Sequence, residues 1–470
     1  MIVEIAFQLH GGLSLKVHRS RSVLRPQVTT DGQGLVSHAG AGLLSELADR
    51  SGLTLGLSQA MAGCGIRWHT HDPGVVLTHL AVAIADGADC LSDMAVLREQ
   101  TELFGPVASR PTAWRAVQAV ASVELRAIPA AVAAARARVW AAAGLDLAAV
   151  TLDFDATLLE SYSEKQDAAP TYKRGFGFHP FAVWCDETNE PLAAMLRPGN
   201  AGANNTNDHV ELLDAAIDAL PVRYRAGHMI GDKADLVEVA MLVRADSAGA
   251  SHGFVRAIVE ANAEYTIGYQ IDGRVRDALL LVQEEDWSAA VETNGGVRSG
   301  AFVTELTDLV DMDGWGSGCR LVCRRERPHP GAQLSIFDTD NGWRHTAFIT
   351  NSPGDAVVLE LRQRGHARVE DRVRCWKATG MLNPPFEDYV RNQAWTAITL
   401  LASCLLSWTQ LVCLDGDLAR AEPKTLRYRI FHVAARLVRR HGRLILRIDD
   451  TWPWRHDLAT AFTRLRTRLC

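Results

Sequence analysis

The sequence predicts a mixed α/β protein: a sheet domain carrying helices, interrupted by a β-rich insertion and flanked by a helical region on each side. Three observations predict it. Up to about residue 147, apolar side chains recur at three- and four-residue steps, as in "AGLLSELADRSGL". At Val150 the period drops to two in "VTLDFDATLL", after which strands and helices alternate. From about Gly273 to Thr350, short strands separated by glycine-rich turns replace that alternation.

Five segments follow in order. Residues 1–147 read as helices punctuated by Gly and Pro. Within them "SRPTAWRAVQAVA" opens on Ser109 as N-cap with Pro111 in the first turn, and presents Thr112, Trp114 and Arg115. That is either the reading helix of a helix-turn-helix or, more simply, one helix of a bundle. Residues 148–272 begin the sheet domain, with two strands joined at Glu187–Glu190 and a helix from Asp208 to Leu220 capped by Asn207. A buried strand, "VEVAMLVRAD", a helix from about Ser251 to Asn262 and the strand "YTIGYQI" complete that part. The insertion, 273–350, holds "NGGVRSGAFVTEL", "GCRLVCRRERP" and "WRHTAFIT". Its Trp315 fills a core or, less simply, stacks on an unpaired base. Helices resume at Gly354, and residues 351–415 return to the sheet domain. The apolar run Ala394–Leu414 approaches membrane-span length, yet carries Thr396, Thr399, Ser403, Ser407, Thr409 and Gln410. It reads as a buried core helix, and no membrane is expected as a partner. Residues 416–470 are expected to be helical and basic.

At 470 residues the chain exceeds one compact core. Hydrophobic content of 47% with 22% charged residues excludes a disordered or fibrous protein. A net charge of −6 argues against a polyanion partner for the chain as a whole. From Lys424 to Cys470, however, twelve basic side chains face three acids. A basic tail on an acidic body suits a polyanion; the plain alternative is a solvated helix pair with arginine-rich faces. Nine cysteines without a framework imply reduced thiols in a cytosol. Neither Cys319 with Cys323 nor Cys64 with His69 and His71 has the second ligand pair that zinc needs. The opening "MIVEIAFQLHGG" lacks the basic and long apolar regions of a secretion signal.

Candidate chemistry lies with the acids. Asp153 and Asp155 are two apart on one strand and so share a face. Asp246 ends a buried strand, where α/β sheets usually build their sites. Glu370 shares a helical face with Val373 and Lys377. Asp371 is turned about 100° away, to be solvated or paired with Arg368 or Arg374. Clustered carboxylates repel unless cations neutralise them, and their hard oxygens select Mg²⁺ or Mn²⁺. Two such ions about 4 Å apart serve phosphoryl transfer. For any single acid, a cap, turn or salt bridge is the simpler reading.

The order of these features resembles DDE transposases of bacterial insertion sequences, the family typified by insertion sequence 1380. The resemblance rests on "HDPGVVLTHLAVAIADGADCLSDMAVLREQ", "LDFDATLLESYSEKQDAAPTYKRGFGFHPF", "LRPGNAGANN", "LVRADSAGASHGF", "HARVEDRVRCWKATGM", "NQAW", "EPKTLRYRIFHVAARLV" and "WPW", in that order over most of the chain. It implies an RNase H-like core that binds transposon ends and cuts and joins DNA in cut-and-paste transposition, using Mg²⁺ with Mn²⁺ as a substitute. It implies Asp155, in preference to Asp153, as first metal-binding catalytic acid, Asp246 as second and Glu370 as third. Asp232 and Asp235 are rivals for the second role that lack the preceding buried strand.

Lys377 matches the family lysine that contacts a phosphate. Gln363 and His366 stand where relatives have tyrosine and arginine, so Arg364, Arg368 and Arg374 are the neighbouring candidates for phosphate contact. In the tail, Lys424, Arg427, Arg436, Arg439 and Arg440 are expected on DNA phosphates. The implied partners are double-stranded DNA, as inverted repeats and target, and a second copy of the chain, since two ends must be cut together. The implied place is a bacterial cytoplasm. Two other readings stay open: a non-cleaving DNA-binding protein derived from a transposase, and a metal-dependent hydrolase of small phosphate esters.

Overall fold

Residues 27–64, 71–120, 122–161, 164–328 and 342–470 are described by a computed structural model of the chain. The opening "MIVEIAFQLHGG" and His69 lie outside the described residues.

Five strands form the centre of a large mixed sheet: β1 (Ala149–Ala156), β2 (Phe181–Cys185), β3 (Pro191–Met195), β4 (Ala240–Ala245) and β5 (Glu264–Tyr269). They lie side by side as β3-β2-β1-β4-β5. β1, β2 and β3 pair antiparallel, whereas β4 runs parallel to β1 and β5 parallel to β4. Helices cover the sheet, which explains why Val150–Phe154 and Met241–Ala245 are buried on both faces. Helix α6 (Thr206–Asp218) packs on β2 and β3, and α7 (His252–Glu260) on α6 and β5.

Strands β6 (Ser288–Val291), β7 (Val297–Glu305), β8 (Arg320–Glu326) and β9 (Arg344–Thr350) are the expected insertion. They do not form a separate module. β9 pairs antiparallel with β5, matching Phe348 to Gly268 and Ile349 to Ile267, so one sheet of nine strands runs on from the centre. The segment also begins with a helix, Gly273–Leu279, capped by Asp272 through the Val275 amide at 3.0 Å. Helix α8 (Ala356–Arg364) lies across β6–β8 and buries Leu359 against Ala290, Ala301, Val303, Val322 and Phe348.

The N-terminal region holds α1 (Ala41–Arg50), α2 (Leu53–Ala60), α3 (Pro73–Asp86), α4 (Arg110–Ala119) and α5 (Ser122–Ala143). α3 starts where Asp72 accepts from the Val75 amide at 3.1 Å, with Pro73 in the first turn, and stops at Gly87, whose φ is 120°. α4 buries Ala113, Ala116 and Val117 and stacks Trp114 against Phe386, as a bundle helix does. Helix α9 (Arg368–Trp376) lies on β1, and α10 (Tyr389–Cys413) packs on α1, α3, α5 and β3. α10 is long and apolar enough to cross a membrane, but most of it is buried in this core.

One ion pair locks the helices to the sheet. Glu190, just before β3, is fully buried and accepts from Arg136 Nε at 2.7 Å, Trp408 Nε1 at 2.7 Å, Thr188 Oγ1 at 3.0 Å and Trp140 Nε1. Arg136 spends its other donors on the carbonyls of Ala219 and Pro191. With its acceptors filled, the carboxylate withstands burial.

Two expectations need correction, the cap of α6 and the form of the basic C-terminal region. Asn205, not Asn207, caps α6, since its side chain accepts from the Asn207 amide at 3.1 Å and leaves Asn207 inside the first turn. Trp315 is core, as its simpler reading has it, edge-on to His252 at 4.3 Å and Tyr269 at 5.6 Å. Between α8 and α9 the chain tightens to a 3₁₀ turn at Gly365–Ala367, and a wide turn at Lys377–Met381 follows α9. The basic C-terminal region is not a helix pair. It forms a hairpin, β10 (Ala435–Arg440) and β11 (Arg443–Ile448), followed by α11 (Arg455–Arg468). The hairpin turns at His441 and Gly442, both with positive φ (50° and 75°), as a two-residue turn between twisted strands requires.

Candidate active site

Because β1 and β4 are parallel neighbours with Phe154 opposite Ala245, the next residues, Asp155 and Asp246, leave the same sheet edge side by side. Asp246 is oriented by its own turn, its Oδ1 accepting from the Ala248 amide at 2.9 Å. That turn sits tightly on Gly268, where a Cβ would come within 2.7 Å of the Ser247 nitrogen. Both acids line a small cavity of about 80 Å³ together with Tyr172, His179 and His209. Burial, together with the charges of Asp246 and Glu370, pushes the Asp155 carboxyl up to about 6 against the opposing pull of His366.

Glu370 is exposed on α9, the helix that lies on β1, and its field reaches Asp155. Lys377, half-buried, follows directly on the last residue of α9 and donates to the Leu158 carbonyl at 2.9 Å. Burial lowers its pKa while Asp155 and Glu160 pull it up, which puts the ammonium beside the acids. Asp371 points away and pairs with Arg374 at 2.8 Å. Asp232 and Asp235 precede the opposite, N-terminal end of β4 and are remote from this edge; Asp232 serves a turn through the Met229 amide.

Asp153 has a different fate. Arg244, its neighbour across β4, grips both carboxylate oxygens at 2.7 Å. Arg372 adds a contact at 2.5 Å and His366 one at 3.1 Å. Asp186 shares Arg244 and Arg372 and is also held by Arg368. Burial tends to raise both acids, but these partners outweigh it and hold both carboxyls below the usual range. Among the described residues, Asp155, Asp246 and Glu370 make no salt bridge. Arg244, Arg372 and Asp186 were not singled out in the sequence; the pairing of "LDFD" with "LVRAD" across two strands is the signal that could have found them.

His179 and His209 were also missed, although "GFHPF" lies in a quoted motif. Each ring places Nδ1 on a main-chain carbonyl, Ala201 at 3.2 Å and Asn205 at 2.8 Å. Burial, the largest influence on each, lowers both pKa values, so neutral imidazoles face the cavity. Three carboxylates outside any salt bridge form a hard oxygen donor set that suits Mg²⁺ or Mn²⁺. Their oxygens do not all lie within 4.8 Å of one another.

The chain matches the family described as transposase DDE domain group 1 over residues 18–469. It belongs to that family. No curated protein sequence matches it. Among solved structures it is similar to a piggyBac transposase synaptic complex with hairpin DNA, seen by cryo-EM. The identity is 10% and the TM-score 0.41, over 92% of this chain and 82% of that one.

In this transposase-family chain the expected DNA-contacting cations divide into two groups. Lys424, Arg436, Arg439 and Arg440 are exposed, the three arginines on β10 of the hairpin. Arg427 is instead half-buried and donates to the carbonyls of Ala85 at 3.0 Å, Ile84 at 3.2 Å and Ala378 at 3.0 Å. The expectation that it reaches a phosphate is therefore corrected: it closes the end of α3. Arg364 is likewise engaged, by Glu360, Glu292 and the Val291 carbonyl. Arg368 and Arg374 are more than half exposed beside their acid partners.

Proposed function

We propose that this chain is a DNA transposase that binds insertion-sequence ends and performs metal-dependent cleavage and strand transfer, with Asp155, Asp246 and Glu370 as its catalytic carboxylates. The supporting observation is that Asp155 and Asp246 leave adjacent parallel strands at one edge, within the field of Glu370 and outside any salt bridge among the described residues. The strand order β3-β2-β1-β4-β5, antiparallel on one side and parallel on the other, supports an RNase H-like core. Asp155 is preferred over Asp153 because the latter is consumed by Arg244, Arg372 and His366.

The three carboxylates would hold Mg²⁺, which supplies activation of the attacking oxygen and charge neutralisation at the leaving one. Lys377, beside Asp155, positions a scissile phosphate. Water attacks phosphorus at the element end and displaces a 3′-hydroxyl, which then attacks a target phosphodiester in line and displaces the target strand's own 3′-oxygen as a hydroxyl. Exposed Lys424, Arg436, Arg439 and Arg440 hold backbone phosphates of double-stranded DNA, inverted repeats and target alike. Two copies of the chain act together in a bacterial cytoplasm, one per element end.

The test is strand transfer with labelled element ends and Mg²⁺. Asp155→Asn, Asp246→Asn and Glu370→Gln are each expected to abolish cleavage while DNA binding persists. Cleavage near the wild-type rate by the Asp155→Asn/Glu370→Gln protein overturns the assignment. Uncut DNA bound by the wild type favours a non-cleaving DNA-binding protein.

A further inference from the structure

We propose that His38, Asp86 and His432 form a second cation site, for a borderline-soft divalent metal of the zinc type, which clasps the root of the basic hairpin to the end of α3. The three residues come from distant parts of the chain: the turn before α1, the last position of α3, and the segment leading into β10. One ligand atom from each lies within 4.8 Å of the others. His38 Nδ1 is 2.6 Å from Asp86 Oδ2, and His432 Nε2 is 3.3 Å from Asp86 Oδ1. The imidazole centroids are 4.3 Å apart. Bonds of about 2.0–2.1 Å around a tetrahedral zinc place its ligand atoms roughly 3.3 Å apart, so a small opening of the His38 contact completes the set.

A second, independent observation points to a cation. Asp86 is only 5% exposed, and its Oδ1 is buried without a hydrogen-bond partner. The carboxylate stands at the C-terminus of α3, where the helix dipole disfavours negative charge. Arg427 lies within electrostatic reach of the carboxylate but gives it no hydrogen bond, because its donors go to the carbonyls of Ile84, Ala85 and Ala378. Both histidine side chains are partly open to solvent, at 22% and 38%, leaving an entry path and room for a water as fourth ligand.

The backbone holds the site in place. The Ala39 amide donates to the Val433 carbonyl and the Gly40 amide to the Phe431 carbonyl, both at 3.1 Å. Gly40 makes this approach feasible, since a Cβ there would lie 1.8 Å from the Ile430 oxygen. A donor set of two imidazoles and one carboxylate favours zinc over the magnesium suited to three carboxylates. Without metal, protons take its place, His432 Nε2 donating to the Asp86 carbonyl at 2.7 Å. Binding exchanges those ring protons for the metal–nitrogen bonds and releases them to solvent.

The test uses the full chain, stripped by chelator and titrated with zinc in millimolar Mg²⁺, with stoichiometry, thermal unfolding and Co²⁺ absorption as readouts. One zinc per chain is expected, with a higher Tm and tetrahedral Co²⁺ bands lacking a thiolate charge-transfer band. Asp86→Asn and His38→Gln/His432→Gln should weaken zinc binding by more than about tenfold. Asp155→Asn/Asp246→Asn should leave it unchanged, which separates this site from the proposed catalytic one. Failure of the wild type to bind zinc, equal binding by the histidine variant, or a thiolate band in wild-type Co²⁺ spectra each overturns the proposal. Should the histidine variant not fold, Asp86→Asn and the wild-type Co²⁺ spectrum decide.

Discussion

Arg244 and Asp153 meet across neighbouring parallel strands with both oxygens of the carboxylate in the arginine's fork, each at 2.7 Å. Two residues further along the same face, Asp155 has no such partner. The same residue type, at two-residue spacing, serves opposite ends.

Stability should separate the two aspartates. Asp153→Asn leaves Arg244 and Arg372 short of a counter-charge in a buried site, and is expected to cost about 3–5 kcal/mol. Asp155→Asn relieves a carboxylate that is buried and near like charges, and is expected to stabilise metal-free protein at neutral pH, by at most about 3 kcal/mol. Urea denaturation of both variants measures this, and the same sign for both would contradict the assignment.

The pH dependence follows from the raised Asp155 carboxyl, which moves from 3.8 to about 6 on folding. Between those values the folded state binds more protons than the unfolded one, so this group's contribution to stability falls as pH rises through the window. Subtracting Asp155→Asn from wild type should reveal a difference that grows from pH 4 to pH 6 and then levels off. Adding Mg²⁺ at pH 7.5 should raise the wild-type Tm and leave that of the variant nearly unchanged. A flat difference curve would be inconsistent with this account.

Glu190→Ala should be among the most damaging substitutions away from the site. It strands Arg136, fully buried at 0% exposure, and removes the acceptor of Trp140 and Trp408. About 3–5 kcal/mol is expected from chemical denaturation. A loss below 1 kcal/mol would mean the helices are docked by apolar contact alone.

DNA affinity should distinguish Arg436, Arg439 and Arg440 from Arg427. Removing the three exposed hairpin arginines is expected to weaken binding to all sequences and flatten the salt slope by roughly one unit per lost phosphate contact. Arg427→Ala should lower Tm and leave the salt slope close to wild type, because its donors face carbonyls. Fluorescence anisotropy across a salt series reads both.

What could be read in the sequence was local and periodic. A period of two put Asp153 and Asp155 on one face of a strand, and a period near 3.6 separated Glu370 from Asp371, which pairs with Arg374 as expected. What escaped was decided by register between distant segments. Asp153 and Asp155 are equivalent until β4 places Arg244 opposite the first. The period of two in "ARLVRRHGRLILRI" was masked by its density of arginines, so a hairpin was read as helix. His38, Asp86 and His432 occupy three segments whose meeting no local pattern encodes.

The pairing of β9 with β5 has a mechanical consequence. The strands β6–β9 between the second and third acids are laced to one another and, through β9, to the strand adjoining β4, and so do not swing as a hinged lid. Any reshaping of the protein around a double helix has to occur in the helices and the arginine-bearing hairpin, while the strands move as one plate. The same lacing makes the segment a guard: excising it would bare the amide and carbonyl row of β5, apolar and unprotected, and the trimmed chains would stick to one another edge to edge.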